Sequence, residues 1–384
     1  MKILILSVKT GMGHHQTGMA LKNEFEQNGA ECVMLDVFEY VNPILSETIS
    51  RGYLLSTKLT PKIYGKFYRM AEKNQNVDPS FLKNTMNKIL SSKLMNFINT
   101  YEPDAVIITH IFAAQIVSYL RTKGKLDCLT VGVVTDFTIH PFWEQTSLDY
   151  YVTASRMLNL QLEKKGISKK KALPVGIPIH PKFSNNIPKD EARKILGIKD
   201  KTTILVMMGS MGYGHIMKDL LKLDDMADDF QIICVCGNNK RLHTLISGHE
   251  WKKKMYPFGY VNNVELMMDA SDVIVTKPGG LTTSEFLAKG LPAILLEPIP
   301  GHEDRNVEFL LNNGLAIKVS ETFPIDEAVY QLVLHEWRLE MLADAARFMG
   351  KPNAAKDICK FVLENCHKKY ILPENDAEGE SVDE

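Results

Sequence analysis

The stretch that decides the fold is Lys2-Ile-Leu-Ile-Leu-Ser7, followed by Val8-Lys-Thr-Gly-Met-Gly-His-His15 and a helical stretch from Met19 to Gln27. A run of Ile and Leu without alternation is typical of a strand that is buried on both faces. The glycines after this run predict a tight turn into a helix. A strand, a glycine turn and a helix in this order form the unit from which parallel α/β sheets are built.

Similar apolar runs recur along the chain in two series. The first comprises Ile3 to Val8, Cys32 to Val37, Ala105 to Thr109, Val131 to Thr135 and Tyr151 to Ala154. The second comprises Ile204 to Met208, Gln231 to Cys236, Val273 to Thr276, Ala293 to Leu296 and Ala316 to Val319. We therefore predict an α/β fold in which the strand-and-helix pattern occurs twice, with parallel sheets covered by helices.

Length and composition are those of a globular protein with two domains. A chain of 384 residues exceeds the size at which single cores stop growing. Hydrophobic residues are 45% and charged residues 24%, close to ordinary soluble usage. Lys and Arg number 45 against 46 Asp and Glu, so no overall field attracts nucleic acid. We expect no nucleic-acid partner, and no feature predicts an obligate protein partner.

The cysteines and the hydropathy pattern favour a cytoplasmic protein. The six cysteines are too scattered for a disulfide framework or for paired zinc ligands, which favours a reducing compartment. Cys234 and Cys236 fall in an apolar run and are predicted to pack in the core. The apolar start of the chain is too short for a signal peptide, and no run reaches about 18 apolar residues, so no membrane span is predicted.

The break between the two series is rich in proline. Pro174-Val-Gly-Ile-Pro-Ile-His-Pro181 and Asn185-Asn-Ile-Pro188 block regular structure and predict an interdomain linker. We place the domains at residues 1–181 and 182–350. Residues 370–384 are acidic and contain little that can form a core, so they are predicted to be a disordered tail.

The turn after the first strand offers a candidate base. Gly11 and Gly13 let a ligand approach the backbone at a helix N-terminus, where unpaired N–H groups favour anions. His14 follows, and because histidine titrates near neutral pH it is the candidate general base. Gly13 is predicted to lie beside the substrate group that accepts the transferred group and that His14 deprotonates. Two alternatives stay open. One is a dinucleotide site, although position 16 is Gln where the fingerprint requires glycine, and the other is a histidine that only caps or packs the turn.

A second motif, Thr135-Asp-Phe-Thr-Ile-His-Pro-Phe-Trp143, follows the fourth predicted strand. Open α/β sheets bind their ligands at this carboxyl edge. Asp136 is predicted to orient the catalytic histidine, and His140, Pro141 and Trp143 are predicted to wall an apolar acceptor pocket. The alternative is that Asp136 caps the next segment and Trp143 anchors the core.

Two glycine turns of the second series predict a nucleotide-diphosphate site. One is Met208-Gly-Ser-Met-Gly-Tyr-Gly-His215, and the other is Thr276-Lys-Pro-Gly-Gly-Leu-Thr-Thr-Ser-Glu285. Both follow strands and expose backbone N–H groups to a diphosphate, while Glu285 can accept hydrogen bonds from a ribose diol. The alternative is a tight connection with helix-start acids. The predicted donor-binding set is Gly209, Ser210, Met211, Gly212, Tyr260, Gly279, Gly280, Leu281, Thr282, Thr283, Ser284, Glu285, Glu303 and Asn306.

The segment from Thr60 to Lys73 predicts an amphipathic helix. Thr60 is an N-cap candidate, and Pro61 suits the first helical position. One face carries the predicted membrane contact, which consists of Lys62, Lys66, Arg69 and Lys73. Apolar residues lie beside them, the pattern of a helix that rests on an anionic membrane surface. The alternative is an ordinary solvated face, because Gly65 weakens the helix.

An acidic run, Asp224-Asp-Met-Ala-Asp-Asp229, has the spacing of a magnesium-diphosphate motif. It precedes a predicted strand, whereas ligand sites favour the opposite edge of a sheet. We therefore expect a solvated loop and no metal site.

These motifs, in this order, resemble the family of monogalactosyldiacylglycerol synthases and processive diacylglycerol glucosyltransferases. That family belongs to the inverting group that includes the lipid II N-acetylglucosaminyltransferase. The resemblance covers residues 1 to 365 and rests on Gly11 to His14, on Thr135 to Trp143, and on Lys277 to Glu285 with Pro300 to Glu303. The chain departs from the family at His302, where Gln is common, and at Ser210, where Gly is usual.

The resemblance implies two facing Rossmann-like domains, the GT-B fold, and a C-terminal helix at 351–369 that returns to the first domain. It also implies an inverting transferase that moves glucose or galactose from a UDP-sugar to diacylglycerol at the inner face of the cell membrane. His14 is then the catalytic base, Asp136 supports the acceptor site, the turns at 209–214 and 279–284 hold the diphosphate, and Glu285 holds the ribose.

The UDP-sugar is a substrate in this reaction, so no cofactor is expected. Three alternatives remain: transfer to a soluble acceptor, epimerisation of a UDP-sugar, and a non-catalytic UDP-sugar sensor.

Overall fold

The computed structural model of the protein describes most of the two predicted domains. The described residues are 1–9, 12–41, 80–208, 216–296, 298 and 301–366, with only the backbone described for residues 41 and 80–90. The predicted basic helix at 60–73, the glycine turn at 209–214 and the tail at 370–384 lie outside these residues.

The first half of the chain forms a parallel six-stranded sheet. Its strands are β1 Lys2–Ser7, β2 Glu31–Asp36, β3 Ala105–Ile108, β4 Leu129–Val133, β5 Tyr150–Val152 and β6 Ala172–Leu173. Its described α-helices are α1 Met12–Gln27, α2 Val37–Val41, α3 Ser80–Tyr101, α4 Ile111–Thr122 and α5 Asn159–Lys164, and short 3-10 helices span Pro141–Gln145, Arg156–Leu158 and Lys169–Lys171. The strand order is β2-β1-β3-β4-β5-β6.

The second half forms another parallel six-stranded sheet. Its strands are β7 Thr203–Met207, β8 Gln231–Val235, β9 Lys254–Phe258, β10 Val273–Thr276, β11 Ala293–Leu295 and β12 Ala316–Lys318. The described helices from the linker onward are the 3-10 helix Pro181–Ser184 and α6 Lys189–Leu196, α7 Ile216–Asp225, α8 Lys240–Ser247, α9 Val264–Asp269, α10 Gly280–Ala288, α11 His302–Asn312, α12 Ile325–Val333, α13 Glu336–Met349 and α14 Ala354–Asn365. The strand order is β12-β11-β10-β7-β8-β9.

The predicted α/β fold is confirmed, and each of the ten apolar runs overlaps a strand. Cys234 and Cys236 are buried in the core of the second sheet, as expected. The two strands that the apolar runs did not predict, β6 and β9, are edge strands. An edge strand needs no continuous apolar run: β6 has two residues, and β9 carries a lysine and a proline.

The strand orders define where ligands should bind. In the first sheet the chain adds β2 on one side of β1 and β3 on the other, and in the second sheet β8 and β10 flank β7 in the same way. Open α/β sheets bind ligands outside the carboxyl ends of the strands at such reversal points. The site is therefore expected beyond β1 and β3 in the first domain and beyond β7 and β10 in the second.

The C-terminal helix returns to the first domain, as predicted. Ile358 and Val362 of α14 lie in one core cluster with Ile5 and Phe25, which belong to β1 and α1. The first sheet ends at Leu173 and the second begins at Thr203, so the proposed boundary at residue 182 lies in the segment between them. In the described part of the chain, no helix has the length and apolar character needed to cross a membrane.

Candidate active site between the two sheets

The carboxyl edges of the two sheets meet directly. Gly280 begins α10, and a Cβ atom placed on it would lie 1.9 Å from the carbonyl oxygen of Thr135, which follows β4. A Cβ placed on Gly13 would lie 3.8 Å from the Cβ of Leu281. The two glycine turns therefore face each other across the interface, and at Gly280 the approach leaves no room for a side chain.

His14 is held at this interface by its Nδ1 atom. Nδ1 lies 2.9 Å from the carbonyl oxygen of Thr109 and 2.9 Å from Oγ1 of Thr135. A carbonyl can only accept a hydrogen bond, so Nδ1 carries the proton and Nε2 retains the lone pair. Burial lowers the pKa of His14, and the carboxylate of Asp136 offsets part of this lowering. The imidazole is thus neutral and oriented at neutral pH, as a general base must be.

Asn306 joins Asp136 to the second domain. Its Nδ2 donates to Oδ1 of Asp136 and to the carbonyl oxygen of Pro278, each at 2.9 Å, and its Oδ1 accepts from the backbone N–H of Phe137 at 2.8 Å. Asn306 is fully buried, and Phe137 also packs on Phe309 with the ring centroids 5.2 Å apart. Asn306 was predicted to meet sugar hydroxyls. In this structure both of its N–H groups are engaged by protein, so its observed role is to bridge the domains.

Three helices begin at the interface. α1 begins two residues before His14, α10 begins at Gly280, and α11 begins at His302 after Gly301, which has a φ of 116°. Asp304 caps α11 by accepting from the backbone N–H of Gly301 at 3.0 Å. Glu303 is buried, and its Oε1 lies 3.9 Å from the Cβ position of Gly279. Helix N-termini carry partial positive charge, so their convergence favours an anion.

Glu285 lies on α10 in a charged cluster with Lys182 and Glu265. Burial raises the pKa of Glu285 to about 8, Lys182 opposes this rise, and Glu265 adds to it. Lys182 forms an ion pair with Glu265 at 2.7 Å and donates to the carbonyl oxygen of Asn262. Ionised Glu285 can accept hydrogen bonds from a diol placed here. Tyr260, also predicted for donor binding, is 59% exposed.

Two of the three hydroxyl residues of α10, Thr283 and Ser284, are buried. Oγ of Ser284 donates to the carbonyl oxygen of Gly280 at 2.9 Å. Thr282 is half-buried beside them. Any diphosphate contact in this turn is therefore expected from the backbone N–H groups at the start of α10.

Two models of known families match the two halves of the chain. The monogalactosyldiacylglycerol synthase model matches residues 14–179, and the glycosyltransferase family 28 C-terminal domain model matches residues 203–358. A processive diacylglycerol beta-glucosyltransferase of Bacillus pumilus is 30% identical over 370 residues, which is 94% of each chain. The chain belongs to this family of glycosyltransferases. The corresponding protein of Bacillus subtilis is 29% identical, also over 94% of each chain.

Solved structures show that the fold is GT-B. MurG of Acinetobacter baumannii superimposes with a TM-score of 0.65 over 94% of this chain and 99% of that one, at 15% identity. This agrees with the two facing sheets, so the GT-B prediction is confirmed.

The structure of this glycosyltransferase corrects the predicted acceptor wall. Trp143 is only 4% exposed, and its indole packs edge-on against Tyr151 and over Gly132. Pro141 is also buried, while the ring of His140 accepts from the backbone N–H of Phe142 and so caps a 3-10 helix. Trp143 is therefore a core residue, because the strand behind it supplies a glycine that leaves space for the indole.

The acidic run that precedes β8 forms contacts with lysines and backbone. Asp224 accepts from the backbone N–H groups of Lys252 and Lys253, at 3.1 and 2.8 Å. Asp225 pairs with Lys252 at 2.5 Å, and Asp229 pairs with Lys201. Asp224 is buried and, with Asp225, ties the end of α7 to the segment before β9, so this part of the run is not the solvated loop that the sequence predicted. Asp229 ties the segment before β8 to the segment before β7.

Sequence reasoning assigned no role to several charged residues of the site. Lys182 lies in the proline-rich linker. A linker between two domains passes the cleft between them, so its position in the sequence could have predicted that Lys182 lies near the site. A cavity of about 980 Å³ lies at the carboxyl ends of the second sheet, in the size range of ligand sites. Its lining includes four lysines that no spacing pattern marked, namely Lys218, Lys222, Lys277 and Lys318.

Proposed function

We propose that this glycosyltransferase moves a hexose from a UDP-sugar to diacylglycerol and gives a β-glycosyl lipid. The observation that carries the proposal is the convergence of three helix N-termini beside a neutral, oriented histidine at the interface of two GT-B domains. The names of its relatives, which are diacylglycerol beta-glucosyltransferases, support the substrate class.

His14 acts as the general base in this proposal. Its Nε2 takes the proton from the acceptor hydroxyl while the hydroxyl oxygen forms a bond to the anomeric carbon. The bond from that carbon to the diphosphate oxygen breaks on the opposite face, so the configuration inverts. The contact of Nδ1 with Thr109 supports this assignment, because it fixes the ring and stabilises the imidazolium that forms.

The start of α10 stabilises the departing UDP in this proposal. Negative charge develops on the diphosphate as the bond breaks, and fixed N–H groups at helix ends stabilise it without reorganising. Four lysines line the adjacent cavity against two acids, Asp219 and Glu321, so the lining adds net positive charge. Glu285 accepts from the ribose diol. The UDP-sugar is a substrate, and the proposal includes no resident cofactor. Four residues of the predicted donor set, Gly209 to Gly212, lie outside the described residues.

Diacylglycerol resides in a bilayer, so the enzyme must reach the membrane surface from the cytoplasm. The proposed contact is the basic face of Lys62, Lys66, Arg69 and Lys73, which the sequence supports. Each basic residue near an anionic surface contributes about 1 kcal/mol. Changing all four to Gln should release the protein from anionic liposomes.

One assay tests the reaction. The protein is incubated with UDP-glucose, UDP-galactose or UDP-N-acetylglucosamine and with liposomes that contain diacylglycerol, and the extracted lipids are analysed by mass spectrometry. We expect a hexosyl diacylglycerol and released UDP. A sugar epimer without lipid product would indicate an epimerase, and tight binding without UDP release would indicate a sensor. Either outcome would overturn the proposal.

A further inference from the structure

A row of aromatic rings leads from the protein surface to the base. The ring of His14 packs edge-on against His110 with the centroids 4.6 Å apart, and His110 lies 5.2 Å from Phe112. Phe112 in turn lies 5.9 Å from Phe38 of α2. These four side chains come from three separate elements of the first domain, and no sequence motif groups them.

The exposure of the rings changes along the row. Phe112, in the first turn of α4, is 42% exposed, whereas Phe38 is 4% and His110 is 7% exposed. Phe112 is therefore the open ring of the row, and the buried rings of Phe38 and His110 pack on either side of it. The inner end of the row is the imidazole whose Nε2 is assigned the acceptor proton.

His110 is held in the row as a neutral ring. Its Nδ1 accepts from the backbone N–H of Phe112 at 3.2 Å, which caps α4 and excludes a proton at that nitrogen. Burial and the neighbouring imidazoles of His14 and His140 hold the pKa of His110 well below its usual range. His110 is therefore uncharged at neutral pH, and an uncharged ring next to His14 suits an apolar ligand.

We propose that Phe112, supported by the buried rings of Phe38 and His110, is the wall against which the acyl chains of the acceptor lie. This inference rests on the proposed function and assigns the lipid-binding side of its site. A diacylglycerol must place its hydroxyl at Nε2 of His14 while its esters and chains extend away. Phe112 is the exposed ring of the row that ends at His14, and it replaces the wall that the sequence predicted around Trp143.

The first test is chain-length selectivity. Turnover is measured with dioctanoylglycerol and with dibutyrylglycerol, using Phe112→Ser and Phe112→Leu. Phe112→Ser should lower kcat/KM for dioctanoylglycerol about tenfold through KM, because the longer chains lose apolar contact area, and should change the value for dibutyrylglycerol less than twofold. Phe112→Leu should recover most of the loss. The matched control is Phe348→Ser on α13, an exposed phenylalanine of the other domain.

Equal loss on both acceptors, or no loss on either, would overturn the assignment. The second test needs no turnover. A diacylglycerol with a diazirine on its acyl chain is irradiated with the parent protein, and the labelled peptides are sequenced. Label at Phe112 that dioctanoylglycerol displaces supports the wall, even where no hexose is transferred and the proposed reaction itself fails. Displaceable label found only on other residues refutes it, and so does the absence of displaceable label.

Discussion

Replacement of Asn306 by Ala should open the cleft. Two of its hydrogen bonds cross between the domains, one to the carboxylate of Asp136 and one from the backbone of Phe137. A bond to a charged group contributes roughly 1.5 to 3 kcal/mol, and a neutral bond roughly 0.5 to 1.5 kcal/mol. The closed form should therefore lose about 2 to 4.5 kcal/mol, or about 30-fold or more in its population relative to the open form.

The assay has two readouts. Small-angle X-ray scattering without ligand should show a larger radius of gyration for Asn306→Ala, and turnover should fall at least tenfold because the base and the donor turn no longer meet. Asn313→Ala is the matched control. Asn313 lies next to the end of the same helix, and its Nδ2 donates to the carbonyl oxygen of Phe309 within that segment.

The scattering measurement distinguishes two roles for Asn306, a bridge between the domains and a contact to the donor sugar. A residue that only binds the donor sugar would leave the shape of the unliganded protein unchanged. Parental scattering together with parental turnover in Asn306→Ala would refute the bridge. Asn306→Asp gives a stricter check, since it sets a second carboxylate beside Asp136 and should open the cleft further through like-charge repulsion.

Three further outcomes are expected. His14→Ala should lower turnover about 100-fold while calorimetry shows unchanged UDP affinity, and equal turnover in mutant and parent would show that His14 is not the base. Because burial lowers the pKa of His14, the acid limb of the parental kcat/KM profile should lie below pH 6.5. Burial raises the pKa of Glu285 to about 8, so its carboxylate forms as pH rises through that value. The affinity for UDP-glucose should therefore increase between pH 6.5 and 8.5 in the parent but stay constant in Glu285→Gln. Parallel pH profiles in the two proteins would contradict the assignment of Glu285 to the ribose. Gly280→Ala should lower turnover at least tenfold because the added Cβ would clash with the carbonyl oxygen of Thr135. Gly279→Ala should retain more activity, because the nearest atom to its added Cβ lies 3.9 Å away. Equal losses in the two variants would show that the contact with Thr135 is not the cause.

The sequence by itself determined the layered fold and the positions of the strand-end motifs. Strands buried on both faces require unbroken apolar runs, so the eight inner strands were readable. The edge strands β2 and β12 also carry such runs, whereas the edge strands β6 and β9 do not and were missed. Glycine turns after β1 and β10 marked the places where a ligand can approach a helix end, because that approach requires a local backbone geometry.

Only the tertiary structure decided which of these motifs meet. Asn306 and Asp136 are separated by 170 positions in the chain, and their contact depends on how the two sheets face each other. Lys182 beside Glu285 and the row from Phe38 to His14 have the same origin. Periodicity reports which face of an element is buried but not which distant element covers it, so these contacts, and the burial of Trp143, followed from packing alone.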